Sequence, residues 1–323
     1  MLLTTIRKEA RAAESRFTAV EGTVAGAFFD KDTDSLKESE AKVIEGEQLR
    51  AIDVGGPATS ELTAFLDGIQ RADVKLYYEN VPIVYAYGAA VIRARSDRQL
   101  RTLRRDGAEL LQEREALFFP SQYVEPAALR SLVGSEARLV DTTPSGAEPL
   151  PLFPPLLHAR AAQFVNRWRE SLERELALQW CAQPEGWLLV DGSLAISAQV
   201  AAARNTVGLI KSHRTRFFDG DDARVILALK AGERTSVFEP ETWQATPVRS
   251  WYLRLRPAER RDVFWGLVRV EVATSHDVTI ADQVSRWLLA ETAPLSLPDA
   301  RWDRLIYPIH DCEEFLRARA PRL

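Results

Sequence analysis

Two aspartates in this sequence end an apolar run and stand directly before a glycine: Asp67 in LTAFLDGIQ and Asp191 in GWLLVDGSL. In each, an apolar strand delivers a carboxylate and the glycine lets the backbone turn sharply. A carboxylate in that position sits at the rim of a sheet, where ligands bind in open α/β folds. If the two strands are neighbours, the two acids meet. Hard divalent cations take oxygen ligands of this kind. The competing reading is that Asp-Gly simply makes a turn.

A two-metal phosphodiester-cleaving site needs a third acid. The helical stretch before Asp191 offers Glu170, Glu173 and Glu175. At 100° per residue Glu175 lies next to the Leu172/Leu176 stripe and can face inward, while Glu173 points to its side. The choice between the two stays open, and i,i+4 ion pairs such as Glu170–Arg174 are the alternative use of these acids. Lys211 ends the apolar run TVGLIK, where its charge can neutralise a phosphate. The turn that follows, SHRTRFF, adds His213, Arg214 and Arg216 for a nucleic-acid backbone and Phe217 and Phe218 for base stacking. Arg98, Arg101, Arg104 and Arg105 recur at helical spacing as a basic stripe, usable against phosphates or simply solvated. His310, in YPIHDCEEF, can ligate metal or protonate a leaving group. The second His-Asp pair, His276-Asp277, reads as structural or exposed.

The elements that must position these residues follow from periodicity. Residues 5–20 read as a short amphipathic helix and 29–50 as a solvated acidic segment. VPIVYAYGAAVIRAR (81–95) is β-branched and aromatic, hence a strand. The stretch from Ser96 to Phe118 has a helical pattern with Gly107 as a break. A proline-rich crossover (141–157) leads to an amphipathic helix over 158–182, with Phe164, Val165, Trp168, Leu172 and Leu176 on one face. GWLLVDGSL, TVGLIKS, RVILALKA, RSWYLRLR and FWGLVRVEVA read as strands. The alternation in WYLRLR and LVRVEV points to antiparallel strands with one polar face. ADQVSRWLLAET and the C-terminal tail supply further helices. The sum is an α/β or α+β sheet with helices packed on it.

Composition narrows the class. The chain has 323 residues, 46% of them hydrophobic and 27% charged, as in a globular protein with a full core. The net charge of −4 and the pI of about 5.8 argue against a free-standing basic nucleic-acid binder, though not against an enzyme with a local basic groove. Cys181 and Cys312 form no zinc pattern. With no signal-like apolar run in MLLTTIRKEA and no span-length apolar stretch, a cytoplasmic, non-membrane protein is expected. P-loop and GxSxG motifs are absent. AIDVGGPATS is the remaining alternative, a glycine loop able to cradle a phosphate as in actin-like phosphoryl-transfer enzymes, or else the turn into the Asp67 strand.

The order of these pieces is itself informative: a strand with Asp-Gly, an acid-bearing helix, LLVDGSL, a VGLIKS strand and a late YP-x-x-H. This order resembles the NurA family of DNA-end-processing nucleases over roughly residues 50–320, with LLVDGSL and VGLIKS the most specific part. The resemblance implies an RNase H-like mixed β-sheet flanked by helices in a single elaborated domain. That domain comprises an N-terminal segment (1–50), first sheet strands (51–95), a helical insertion (96–185) and the remaining sheet and C-terminal helices (186–323). It also implies a Mn²⁺- or Mg²⁺-dependent deoxyribonuclease acting on single strands and duplex ends in break repair. Such a protein works as a homodimer with a HerA-like hexameric ATPase. Asp67, Glu175, Asp191 and His310 then match metal ligands, and Lys211 the family's lysine. The first motif departs from the family pattern, reading DGIQ where DGS or DGT is expected. That departure keeps open a non-catalytic, DNA-end-binding partner of a translocase.

Overall fold

The computed structural model describes residues 2, 5–6, 17–19, 37–96, 99–144, 146, 150–241, 246–293 and 306–321. Its frame is a large mixed sheet. A long hairpin opens it: β1 (Leu62–Tyr78) and β2 (Val81–Ser96) pair antiparallel around a turn at Glu79. Both are buried over most of their length, as their near-continuous apolar sequence requires. β3 (Leu111–Phe119) pairs antiparallel with β2. The 29-residue helix α1 (Pro154–Ala182) then crosses back. β4 (Trp187–Asp191) returns parallel to β1, and β5 (Thr206–Ile210) lies parallel to β4. β6 (Val248–Arg254) and β7 (Leu267–Ala273) extend the sheet antiparallel, and helices α2 (Ile280–Ala290) and α3 (Tyr307–Arg319) follow. The spatial order is β3-β2-β1-β4-β5-β7-β6, with Glu233–Thr235 and then Ala51–Asp53 at the far edge.

The protein is thus a mixed α/β fold, with a mixed parallel and antiparallel sheet between helical layers. Alternation along the strands assigns the faces. Ala64, Leu66, Ile92, Leu188 and Val190 pack against Leu172, Leu176 and Trp180 of α1. Phe65, Ile69, Val91, Leu189 and Leu209 face the other way, toward Trp287 of α2 and Ile309, Cys312 and Leu316 of α3. No helix of the described residues is long and apolar enough to cross a membrane.

Several sequence expectations are corrected. The stretch 99–119 is strand, not helix, so the segment 96–185 is not a helical insertion throughout. Its Leu and Arg spacing imitates a helix, but Asp106 (φ 48°) and Gly107 (φ 83°) both adopt positive φ and close a tight hairpin. RVILALKA is mostly helix: Gly220–Ala228 begins with Asp221 and Asp222 in its first turn, which favours a helix start. The polar positions of β6 and β7 are not solvated, since Ser250, Arg254 and Glu271 are buried. Residues 17–19 form a strand on β1, and the rest of the expected N-terminal helix lies mostly outside the described residues, as does Arg98. AIDVGG supplies an edge strand and a turn in which Asp53 accepts from the Gly55 N–H (3.0 Å).

Buried charge joins the far edge to the helical layer. The Arg234 guanidinium is almost fully buried and holds Glu45 at 2.7 Å and Asp282 of α2 at 2.6 Å. Truncating one member of a buried ion network strands the others. Arg234→Ala is expected to lower unfolding stability by about 3 kcal/mol, less than a fully enclosed site would lose because Asp282 is partly exposed. Urea denaturation measures it, and a change within error of zero would contradict this role for the network.

Candidate functional site

The parallel pairing of β1 and β4 sets Leu66 on Val190, so Asp67 and Asp191 follow at neighbouring positions on adjacent strands. Neighbouring strands lie about 4.8 Å apart. Both aspartates share the face of Phe65 and Leu189, the face covered by α2 and α3. The register therefore places the two residues at neighbouring positions on one face of the sheet, as adjacent strands were expected to allow.

Asp67 differs from the expectation in one respect. It does not end a strand: β1 runs ten residues and more beyond it, to Tyr78. Gly68 serves close packing instead of a turn. A Cβ there would lie 2.4 Å from Oε1 of Glu173, which α1 presents from the opposite face. The Asp67 carboxylate is buried and accepts the Gly68 N–H at 2.7 Å.

Asp191 does end its strand. Gly192 turns the chain at φ 146°, and Ser193 and Leu194 are then tied down by Glu271 of β7. The Ser193 hydroxyl (2.7 Å) and the Leu194 N–H (2.8 Å) both donate to Glu271, which is itself paired with Arg269. The side chain of Asp191 remains partly open and pairs with the Lys211 ammonium at 2.9 Å. Lys211 directly follows β5, parallel to β4, so the strand-end lysine stands where the sequence placed it.

The third acid is corrected. Glu175 does not face inward; its side chain is 39% exposed and pairs with Arg114 of β3 at 2.6 Å. Glu173 is the buried acid of α1, held by Arg169 one turn before it. It lies under Gly68, across the sheet from the two aspartates. Burial works against the Arg169 charge, but Glu173, Glu170 and Asp67 more than offset it and raise its pKa. Asp67 is thus felt through the sheet at the glycine gap.

His310 belongs to the first half of α3. Cys312 of the same helix sits on β1, its thiol 3.5 Å from the Phe65 carbonyl, and burial with nearby Asp67 pushes that thiol up. Arg93 of β2 takes Asp311 (2.8 Å) and lies over the Phe315 ring. His310 and Glu313 lie three residues apart, on one side of the same helix. They lie 3.8 Å apart, and Glu313 also pairs with Arg317 at 2.6 Å.

The basic residues fare differently from one another. Arg105 donates to the carbonyls of Gln179 and Gln183 (2.5 Å to the latter), closing the C-terminus of α1, and Arg101 donates to Gln99 on its own strand. Neither forms a helical stripe. Arg216 pairs with Glu38 at 2.8 Å, and Phe217 and Phe218, both half-buried, pack on the buried Phe238. Arg214 is half-buried, and its carbonyl accepts the Lys37 N–H. His213 donates to the Leu267 carbonyl (2.9 Å), close to Lys211. His276 is structural: it donates to the Arg204 carbonyl (2.5 Å) and stacks on Trp187.

Sequence reasoning missed Glu271, Arg169 and Glu313. The signal for Glu271 was available, since a lone acid inside LVRVEV needs a partner once the strand is central. Among the described residues, no set of three His, Cys, Asp or Glu side chains is arranged to hold a metal. Aspartates at neighbouring positions supply the oxygen ligands that Mg²⁺ takes, commonly one or two carboxylates with water and substrate phosphate completing its shell. No protein-family model matches the chain, and no curated protein matches it.

The Gly68 contact is testable by itself. Gly68→Ala pushes a methyl into the paired Glu173 carboxylate and is expected to cost about 1–3 kcal/mol by overpacking. Thermal and urea unfolding of the variant measure it, and wild-type stability would contradict the packing of Glu173 under the strand.

Proposed function

We propose that this chain is a metal-dependent DNA nuclease, a phosphodiester hydrolase of RNase H-like architecture that works on single strands and duplex ends. The observation that carries this reading is the β1–β4 register, which sets Asp67 beside Asp191 with Lys211 on the latter. The order β3-β2-β1-β4-β5, with β2 alone antiparallel to the others, supports the RNase H-like assignment. Homodimerisation, a HerA-like ATPase partner and a role in break repair rest on the sequence resemblance.

Asp67 and Asp191 would hold the cation. When bound, Mn²⁺ or Mg²⁺ lowers the pKa of a coordinated water and polarises the scissile phosphate. Asp67 is oriented by the Gly68 N–H. Asp191 is oriented by the Gly192 bend, which Glu271 anchors one and two residues on. Lys211 offers its ammonium to a phosphate oxygen as charge builds there. His310, over the same face, is the group able to give a proton to the leaving oxygen.

The second reading, a non-catalytic DNA-end-binding partner, draws on one observation: both acids expected from α1 are occupied, Glu175 by Arg114 and Glu173 by Arg169. A labelled single strand incubated with Mn²⁺ or Mg²⁺ separates the two. Asp67→Asn and Asp191→Asn are expected to abolish cleavage with the circular dichroism spectrum intact. Lys211→Ala is expected to slow cleavage about 10²–10³-fold, as for loss of one charge-stabilising donor. Unchanged Mn²⁺-dependent activity in either aspartate variant sinks the site assignment. A wild-type protein that binds ends without cutting favours the second reading.

A further inference from the structure

A column of four rings climbs from the core to the surface beside Lys211. Phe238 and Tyr252 stack with centroids 5.7 Å apart and planes at 25°. Tyr252 and His213 follow at 6.1 Å and 34°, then His213 and Phe264 at 4.9 Å and 16°. Exposure rises along the column: Phe238 is fully buried, Tyr252 is 6% exposed and Phe264 40%. The column therefore ends in an exposed ring stacked on His213.

That ring is pre-ordered. Phe264 belongs to the loop 255–266, between β6 and β7. Arg254, fully buried, holds the loop from beneath, donating to the carbonyls of Val263 (3.0 Å) and Trp265. The same guanidinium reaches the carbonyls of Leu227 (2.9 Å) and Leu229 (3.1 Å), so the loop is fixed to the neighbouring helix. Asp262 accepts the Phe264 N–H at 2.9 Å, and His213 donates to Leu267 just past the loop. Little ordering entropy remains for a ligand to overcome.

The surroundings select the ligand. The loop carries Arg256, Arg260 and Arg261 against Glu259 and Asp262, and Arg261 lies 4.9 Å over the Trp265 ring. Lys211 and Arg214 add positive charge from the neighbouring turn. The ladder of β5 on β7 pairs Ile210 with Arg269, so the exit of β5 at Lys211 runs alongside the start of β7 and the loop before it. An exposed aromatic ring on a loop that carries cations suits an unpaired base and its phosphates. A duplex keeps its base faces stacked on one another and cannot offer them.

We infer that Phe264 is a stacking platform for an unpaired nucleobase, with Arg261 and Arg214 on the flanking phosphates, guiding a single strand to the Asp191–Lys211 edge. The inference deepens the nuclease reading and rests on it only for the fate of the strand, not for its binding.

Fluorescence anisotropy with a fluorescein-labelled oligothymidylate, in EDTA so that nothing is cut, tests it. Phe264→Ala is expected to weaken binding at least about fivefold, the lower end for loss of one stacked base. Phe264→Trp should retain affinity. Phe153→Ala, which removes a still more exposed phenylalanine just before α1, should leave it unchanged. A blunt duplex should bind with no dependence on Phe264. Wild-type affinity in Phe264→Ala overturns the inference, as do an equal loss on strand and duplex and a wild-type protein that binds no single strand. Binding through Phe264 without cleavage in metal leaves the platform standing and removes the nuclease reading. Cleavage by a protein indifferent to Phe264 does the reverse.

Discussion

The structure depends on one pairing, the parallel registration of Leu66 on Val190. It joins segments more than a hundred residues apart and makes one sheet of the N-terminal hairpin and the C-terminal strands. Because strand faces alternate with a period of two, a slip of one residue would send Asp67 and Asp191 to opposite faces. The slip is opposed on both sides at once. Leu66 and Val190 belong under α1, while Phe65 and Leu189 belong under α2 and α3. Any register that exposed one set would bury a carboxylate in the other layer. The same hydrophobic pattern that stabilises the sheet therefore sets the two acids side by side.

Around that pair, the protein handles buried charge by local closure. Glu173 and Arg169 neutralise each other beneath Gly68, Arg269 and Glu271 do so within β7, and Arg234 draws Glu45 and Asp282 together. Buried pairs of this sort add little net stability compared with apolar packing, but each fixes a geometry. Glu271 is the clearest instance. It spends both oxygens, one on Arg269 and one on the Ser193–Leu194 turn, and so makes the position of Asp191 a property of the neighbouring strands.

Much of this was legible in the sequence, and the failures have physical causes. The runs at 187–191, 206–210, 248–254 and 267–273 combine β-branched residues with clear ends, and the helix over 158–182 carries a continuous apolar stripe. Residues 99–119 deceived because leucines and arginines three and four apart fit a helix as well as two short strands joined by a turn. The discriminating signal was Asp106-Gly107, the dipeptide of a tight hairpin. RVILALKA deceived because a short apolar run has no period of its own. The inward acid of α1 was misassigned because the helical stripe predicts which residues face the sheet, not where the sheet has room. Gly68 makes that room, and it does so 105 positions away in the chain from Glu173.

The constraint on the two aspartates is electrostatic. Two carboxylates at strand spacing repel by on the order of 3 kcal/mol at an effective dielectric near 20. Burial of Asp67 makes that repulsion harder to screen. The ion pair of Lys211 with Asp191 relieves it with a charge borrowed from the next strand. A lysine in this place is a flexible, strongly hydrated point charge, one that can be exchanged. Arg169 could not serve, since it is enclosed on the other face and committed to Glu173. The two faces of the sheet thus hold their cations differently. The α1 side locks its charge pair into the packing. The α3 side leaves Asp191 with a partner that can leave for a phosphate, which is the asymmetry a site needs if cation and substrate are to arrive on one face only.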